Sequence, residues 1–294
     1  MSASRALAWA KLLRVSNAPT IPVDLLAGYA AARALGATEL LEPVSFGGTL
    51  AACLGIYLGA LVLNDRLDLA HDAATRPQRP LPSGAVSARA ATLAYLALFA
   101  LAVLGALFAP PRVRIPLALL ALVATGYDLY LKRSPLLGPA ALGLCRALDL
   151  GIGMLLAGAP ESVLPAAAIL LCYAGYVVSL SGLARMEDGE PRLVSIRAAL
   201  LGAGACFAAG PLSLGLELAA LPALPIALWI ATRGFAGASE WPRERVGRTV
   251  GRLLGLLALF GACVAFAGDA VAIALVALLL FGLARALARC IPPS

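Results

Sequence analysis

Ten runs of mostly apolar residues, each near the length needed to cross a bilayer, divide this chain of 294 residues. They cover roughly 20–36, 45–64, 88–109, 113–131, 137–158, 163–184, 193–211, 213–233, 249–267 and 270–289. A membrane-spanning helix needs about 20 mostly apolar residues. A membrane β-barrel would instead show alternating segments of about ten residues. These runs are unbroken Ala, Leu and Val, so the expected fold is all-α, a polytopic transmembrane bundle of about nine or ten helices. Counting the closing pair differently gives the alternative of nine. Pro110–Pro111, Pro135, Pro160, Pro191, Pro211 and Gly268–Asp269 mark the turns between runs.

Composition narrows the function. Apolar residues make up 61% of the chain and charged ones 13%, with a mean hydropathy of +0.91. A soluble domain carries roughly 25% charged residues, so a soluble enzyme and a disordered chain are both excluded. The net charge is +7, but the basic residues lie between apolar runs and form no basic domain, so no nucleic-acid partner is expected. Five of the six cysteines sit in apolar runs and none forms a CxxC pair; they read as packing residues. One histidine precludes a histidine metal cluster. The N-terminal stretch has no continuous apolar core before a small-residue site, so no cleaved signal peptide is expected. Residues 1–294 read as one integral-membrane domain.

The charges set an orientation. With ten spans, 19 of the 23 basic residues fall on the side of the N-terminus, the even-numbered loops and the C-terminus. Only Arg33, Arg112 and Arg114 fall on the other, and Arg146 lies inside a span. The positive-inside rule puts the richer side, N-terminus included, in the cytoplasm. The expected location is a multi-pass protein of the cell's inner or plasma membrane, surrounded by lipid.

The chemistry-bearing stretch follows the second span. It reads Asn64-Asp-Arg-Leu-Asp-Leu-Ala-His-Asp72, then Ala-Ala-Thr-Arg-Pro-Gln-Arg-Pro-Leu-Pro-Ser-Gly84. Asn64, Asp68 and Asp72 are four residues apart and share one face of a helix. Three oxygen-bearing side chains there suit Mg²⁺, which takes one or two carboxylates and fills its remaining positions with water and phosphate oxygens. Arg76 and Arg79 follow at once and suit the same phosphates. The plainer reading is a solvated helix end; the regular spacing and the rigid RPxRPLPSG turn weigh against it.

The run NDxxDxxxD…RPxRPLPSG resembles the first aspartate-rich motif of the UbiA superfamily of intramembrane prenyltransferases. The likeness extends over most of the chain. Arg14, Asn17 and Thr20 resemble the start of the family's first helix. Tyr127, Tyr130, Lys132 and Arg133, in GYDLYLKR, resemble its YxxxLKR segment, and Arg146 resembles the arginine of the following helix. The resemblance implies a helical bundle around a central cavity that transfers a prenyl chain from a prenyl diphosphate to a lipophilic acceptor. It assigns Asn64, Asp68 and Asp72 to Mg²⁺ and diphosphate, Arg76 and Arg79 to phosphate, and Lys132 to neutralising the leaving group. It makes Asp68, Asp72 and Lys132 the catalytic set. Asn17, Tyr127, Tyr130, Arg146 and Arg185 join the substrate-binding set. The family's second acidic motif is altered: Glu187, Asp188 and Glu190 are present, but position 184 holds alanine. Glu187 and Asp188 are the candidate ligands of a second metal there, beside a solvated-loop reading. The short ARxE-type segment is similar to that of an EboC-like branch.

Several residues carry two readings. Tyr127 and Tyr130 line a cavity or sit at the membrane interface. Arg146 binds substrate or forms an ion pair with Asp149, three residues on. Asp24 is placed to pair near Arg14. His71 reads as a loop residue, and Trp241 with Arg243–Arg252 as an interfacial anchor. The favoured function is Mg²⁺-dependent prenyl transfer to an aromatic or hydroxyl-bearing acceptor. The alternatives are a non-catalytic prenyl-lipid binding or trafficking protein, and a small-solute transporter. No protein partner is implied.

Overall fold

The computed structural model describes residues 3–188, 192–215, 218–235 and 241–291. Twelve α-helices and no strands occur among them. In chain order these are α1 (Ala3–Leu12), α2 (Thr20–Ala34), α3 (Pro43–Leu67), α4 (Leu69–Thr75), α5 (Ala88–Phe108) and α6 (Pro111–Leu129). They continue with α7 (Leu137–Leu156), α8 (Val163–Asp188), α9 (Leu193–Leu212), α10 (Ala223–Thr232), α11 (Arg243–Ala267) and α12 (Val271–Cys290). Each of the ten apolar runs falls on its own helix, α2, α3 and α5–α12. Seven of these are long and apolar enough to cross a membrane: α3, α5, α7, α8, α9, α11 and α12. The other three are short or carry charge: α2 has 15 residues, α10 has ten, and α6 holds Arg112, Arg114 and Asp128. The protein is a multi-pass integral membrane protein.

Apolar side chains on the outside of such a bundle face lipid, so packing inside it depends on close approach rather than on apolarity. Glycines provide that approach. The backbones of α2 and α7 touch where Gly28 faces Leu150 and Gly153 faces Leu25, with no room for a Cβ at either glycine. Helices α3 and α5 meet the same way: a Cβ on Gly48 would lie 2.8 Å from the Gly105 carbonyl oxygen, and one on Gly105 2.6 Å from that of Gly48. Helix α2 is buried along most of its length and packs on both α7 and α11. It and α7 join two apolar cores. One gathers Tyr173, Tyr176, Phe207 and Phe260 from α8, α9 and α11; the other gathers Ile21, Leu25, Ile56, Leu117 and Ile152. Leu96, Leu104, Ile115, Leu122 and Leu279 point outward, as a lipid-facing surface requires.

The two ends of the bundle differ. At one end lie Glu39, Arg112, Glu161 and Asp269, and here the three basic residues that break the charge asymmetry serve helix ends. Arg112 donates to the carbonyls of Leu155 (2.5 Å) and Leu156 (3.2 Å) at the close of α7, and pairs with Glu39. Arg114 donates to Leu107 and Ala109 at the close of α5, each at 3.2 Å. Arg33 donates to Ala37 just past α2 at 3.0 Å. The last carbonyls of a helix lack internal partners, and a cation there also meets the negative end of the helix dipole. Glu42 caps the start of α3, its carboxylate accepting from the amides of Val44 (3.0 Å) and Ser45 (2.5 Å). Hydrogen bonds from Ser45 and then Val44 hold its carboxyl below the usual range. The opposite end carries the acidic motif.

Candidate active site

Helix α3 runs past the expected end of its span to Leu67, which brings Asn64 and Asp65 into its last turn. The chain breaks at Asp68 (φ −86°, ψ 3°) and restarts as α4. The backbone ladder crosses the break: the Asp68 amide donates to Asn64 (2.9 Å) and the Asp72 amide to Asp68 (2.8 Å). The three side chains nevertheless divide. Lys132 Nζ donates to Asn64 Oδ1 at 3.2 Å and to Asp68 Oδ1 at 2.6 Å. Asp72 is buried and pairs instead with Arg79, Nη1 to Oδ2 at 2.7 Å. The single helical face expected for the triad is bent at Asp68, and Asp72 pairs apart from the ammonium that Asn64 and Asp68 share.

Lys132 reaches this point because α6 ends at Leu129 and residues Leu131–Arg133 form a tight 3-10 turn. Arg185, near the end of α8, donates to the Lys132 carbonyl at 3.0 Å. The loops after the second, fourth and sixth spans therefore converge. Asp65, not singled out in the sequence, accepts from Arg14 Nη2 at 3.0 Å. Arg14 holds φ 44°, a left-handed conformation that costs a non-glycine residue roughly 1–3 kcal/mol and is characteristic of functional sites. Asp128, also passed over, is 3% exposed, and its Oδ2 is buried with no hydrogen-bond partner. Its signal was available, since a carboxylate one residue before the end of an apolar span is costly unless it has a purpose.

A second polar group lies deeper, among α2, α3, α7 and α8. Arg146 donates to Asp24 Oδ2 (2.8 Å) and Thr20 Oγ1 (3.0 Å) and stands over the Tyr57 ring at 5.3 Å. Tyr173 donates to the other Asp24 oxygen at 2.5 Å. Thr20 in turn donates to the Asn17 carbonyl at 2.7 Å, so Asn17 contributes its backbone. This corrects the pairing expected from spacing. Arg146 takes Asp24 as its partner rather than Asp149, because the glycine contact between α2 and α7 brings Asp24 alongside. Arg14 goes to Asp65. Asp149 Oδ1 remains buried without a partner.

The remaining candidates are dispersed. Arg76 is half-buried and its amide donates to Asp72. Tyr127 is half-buried, whereas Tyr130 is 73% exposed and turns outward, the interfacial position. Glu187 lies against Gly247 of α11: a Cβ there would come 2.6 Å from its Oε1. The Asp188 side chain and Glu190 lie outside the described residues. Arg197, Arg233 and Arg245 stand over Phe235, Trp229 and Trp241 at 4.9, 4.2 and 4.3 Å, as an interfacial belt of cations and aromatics would.

The oxygens of Asn64 and Asp68, from successive turns, both accept from one ammonium and so already serve a single positive charge. Among the described residues no three His, Cys, Asp or Glu side chains are grouped to hold a metal unaided. One carboxylate and one amide oxygen, with phosphates nearby, is the donor set that suits Mg²⁺ rather than an all-protein cage.

Residues 25–191 match the UbiA prenyltransferase family, and the chain belongs to it. The digeranylgeranylglyceryl phosphate synthase of Methanoregula boonei is 36% identical over 122 residues, 41% of this chain and 44% of that protein. The chain spans about half the length of the curated relatives it matches, 44–53%. Among solved structures, a UbiA homologue from Aeropyrum pernix superposes with a TM-score of 0.64 at 21% identity, covering 83% of this chain and 96% of that one. A homologue from Archaeoglobus fulgidus bound to GPP and Mg²⁺ superposes at 0.64 and 17% identity, covering 90% and 99%. These likenesses establish the fold.

Proposed function

We propose that this protein transfers a prenyl group from a prenyl diphosphate to an aromatic or hydroxyl-bearing lipophilic acceptor within the membrane, at a site open to the cytoplasm. The observation that carries this is the convergence of Asn64, Asp68 and Lys132, with Arg14 held on the adjacent Asp65 and Arg185 on the Lys132 carbonyl. The A. fulgidus homologue was seen with GPP and Mg²⁺, which supports the same ligands here. The 19-to-3 basic asymmetry supports the cytoplasmic orientation of this end.

In this reading Asn64 and Asp68 would hold Mg²⁺, which would supply charge neutralisation at the diphosphate oxygens. Lys132 moves from its two acceptors onto the leaving group, and the arginines bind the remaining phosphate oxygens. The bond from the allylic carbon to the diphosphate oxygen breaks and the diphosphate keeps the electron pair. The acceptor's oxygen or ring carbon forms the new bond and loses a proton. The apolar helices keep water from the allylic cation. Asp72 and Arg79 fix the turn that follows α4, and the Asp24–Arg146–Tyr173 group fixes α2 against α7 and α8 above the site.

Membranes containing the protein, given labelled geranylgeranyl diphosphate and a panel of phenols and glyceryl phosphate alcohols, should yield a prenylated product from one acceptor class. Tight binding of the diphosphate with no transfer to any acceptor would replace this reading with a lipid-binding or trafficking role.

A further inference from the structure

We propose that Asp128 is an additional ligand of the divalent cation that accompanies the prenyl diphosphate, acting across the site from Asn64 and Asp68; this rests on the function proposed above. Four aspartates lie close in this part of the chain's fold, Asp65, Asp68, Asp72 and Asp128, at the ends of α3 and α6 and in α4. Three have a basic partner: Asp65 with Arg14, Asp68 with Lys132, and Asp72 with Arg79. Among the described residues Asp128 has none. It is 3% exposed, and its Oδ2 is sealed from solvent with no hydrogen-bond donor. A carboxylate oxygen in that condition carries its desolvation penalty without recompense, so its persistence calls for a ligand.

The placement says which ligand. Asp128 lies in the last turn of α6, four residues before Lys132, so the two belong to the same short segment. The charged groups it senses are Lys132, Asp68, Arg14 and Asp65, which are the residues lining the candidate site. Lys132 pairs with Asp68 of α3 and shares the end of α6 and the turn after it with Asp128, so the two carboxylates approach the candidate site from different elements. Two carboxylates and an amide oxygen brought to one position would form a hard-cation donor set, completed by water and phosphate. When Lys132 leaves for the diphosphate, a cation in its place would satisfy all three. Glu187 lies against α11 instead, so among the described side chains α6 is the element opposite α3 with an acid to contribute.

The test is Mn²⁺ binding, followed by electron paramagnetic resonance on the full-length protein in detergent with an unreactive thiolo-diphosphate analogue of the prenyl donor, and competed with Mg²⁺. Asp128→Asn keeps the shape and removes the charge. It should weaken Mn²⁺ by at least about tenfold, the loss typical of disturbing a metal's surroundings. Asp128→Glu should recover much of the affinity. Because the carboxylate is unpaired in the metal-free protein, Asp128→Asn should leave the metal-free melting temperature unchanged or raise it. A role in packing alone predicts the reverse, a lower melting temperature with no rescue by glutamate, and would overturn the proposal. So would Mn²⁺ affinity unchanged in Asp128→Asn but lost in Asp68→Asn, which leaves the first-motif site intact without Asp128. Wild-type protein that binds the analogue but no Mn²⁺ would remove the metal reading as a whole.

Discussion

Lys132 and Asp68 stand 64 positions apart in the chain, yet the lysine ammonium lies 2.6 Å from the aspartate carboxylate and also reaches Asn64. The pair joins the end of α3 to the turn after α6. In the proposed reaction it places a cation where the departing diphosphate would gain negative charge. Replacing Lys132 with methionine keeps the stem and deletes the charge. Prenyl transfer should fall about 10²–10³-fold, the usual cost of losing one donor that stabilises developing negative charge. Steady-state rates at saturating donor check this, and the loss should appear in kcat.

Asp68 and Asp72 belong to one sequence motif but should respond differently. Asp72 is buried against Arg79. Removing one member of such a pair leaves an uncompensated charge and costs about 3–5 kcal/mol. Asp72→Ala and Arg79→Ala should each lower the melting temperature markedly, and the double variant should lose less than their sum. Asp68→Asn should leave thermal stability nearly intact while abolishing transfer. Melting curves of all four variants separate the two roles.

The deep polar group makes a matching prediction. Asp24 accepts from Arg146 and Tyr173 on different oxygens. Tyr173→Phe removes one donor from a buried carboxylate and should cost about 1–3 kcal/mol. Arg146→Met should cost more, and adding Asp24→Asn should restore part of the loss. Apparent melting temperatures in one detergent provide the comparison.

The close approach of α2 and α7 can be tested at a single methyl group. Gly28→Ala would drive a Cβ into the Leu150 carbonyl, and Gly153→Ala one into that of Leu25. Overpacking typically costs about 1–3 kcal/mol, and backbone contact places these two at the upper end. Gly47→Ala, which meets nothing within 4 Å, should be neutral and serves as the control.

Orientation has a direct probe in the native chain. Cys290 is exposed at the end of α12, while the other five cysteines are buried or half-buried. A membrane-impermeant maleimide should label it in inverted vesicles and leave it unlabelled in intact cells. The opposite pattern would reverse the assigned sidedness.

The helices were legible in the sequence because bilayer thickness fixes their length, and Pro and Gly fix their ends. The regular spacing of Asn64, Asp68 and Asp72 was visible in the sequence as a pattern. What pairs with what was not. Arg146 was matched to Asp149 by proximity in the chain, but two glycines bring α2 against α7 and supply Asp24. The shared face of Asn64, Asp68 and Asp72 assumed one continuous helix, and the break at Asp68 turned Asp72 toward Arg79. Asp65 and Asp128 fell between the motif positions: only the folded arrangement shows Asp65 on Arg14, whereas Asp128, an acid just inside the end of an apolar span, carried a signal in the sequence.

The central claim is that the Asn64–Asp68–Lys132 constellation drives loss of diphosphate from a prenyl donor. Its most direct test is diphosphate release from geranylgeranyl diphosphate, titrated with Mg²⁺ in the presence of acceptor, for wild type and Asp68→Asn. Release that rises with Mg²⁺ in the wild type and stays at background in Asp68→Asn is the predicted result. Equal release by both proteins, or release indifferent to Mg²⁺, would contradict it.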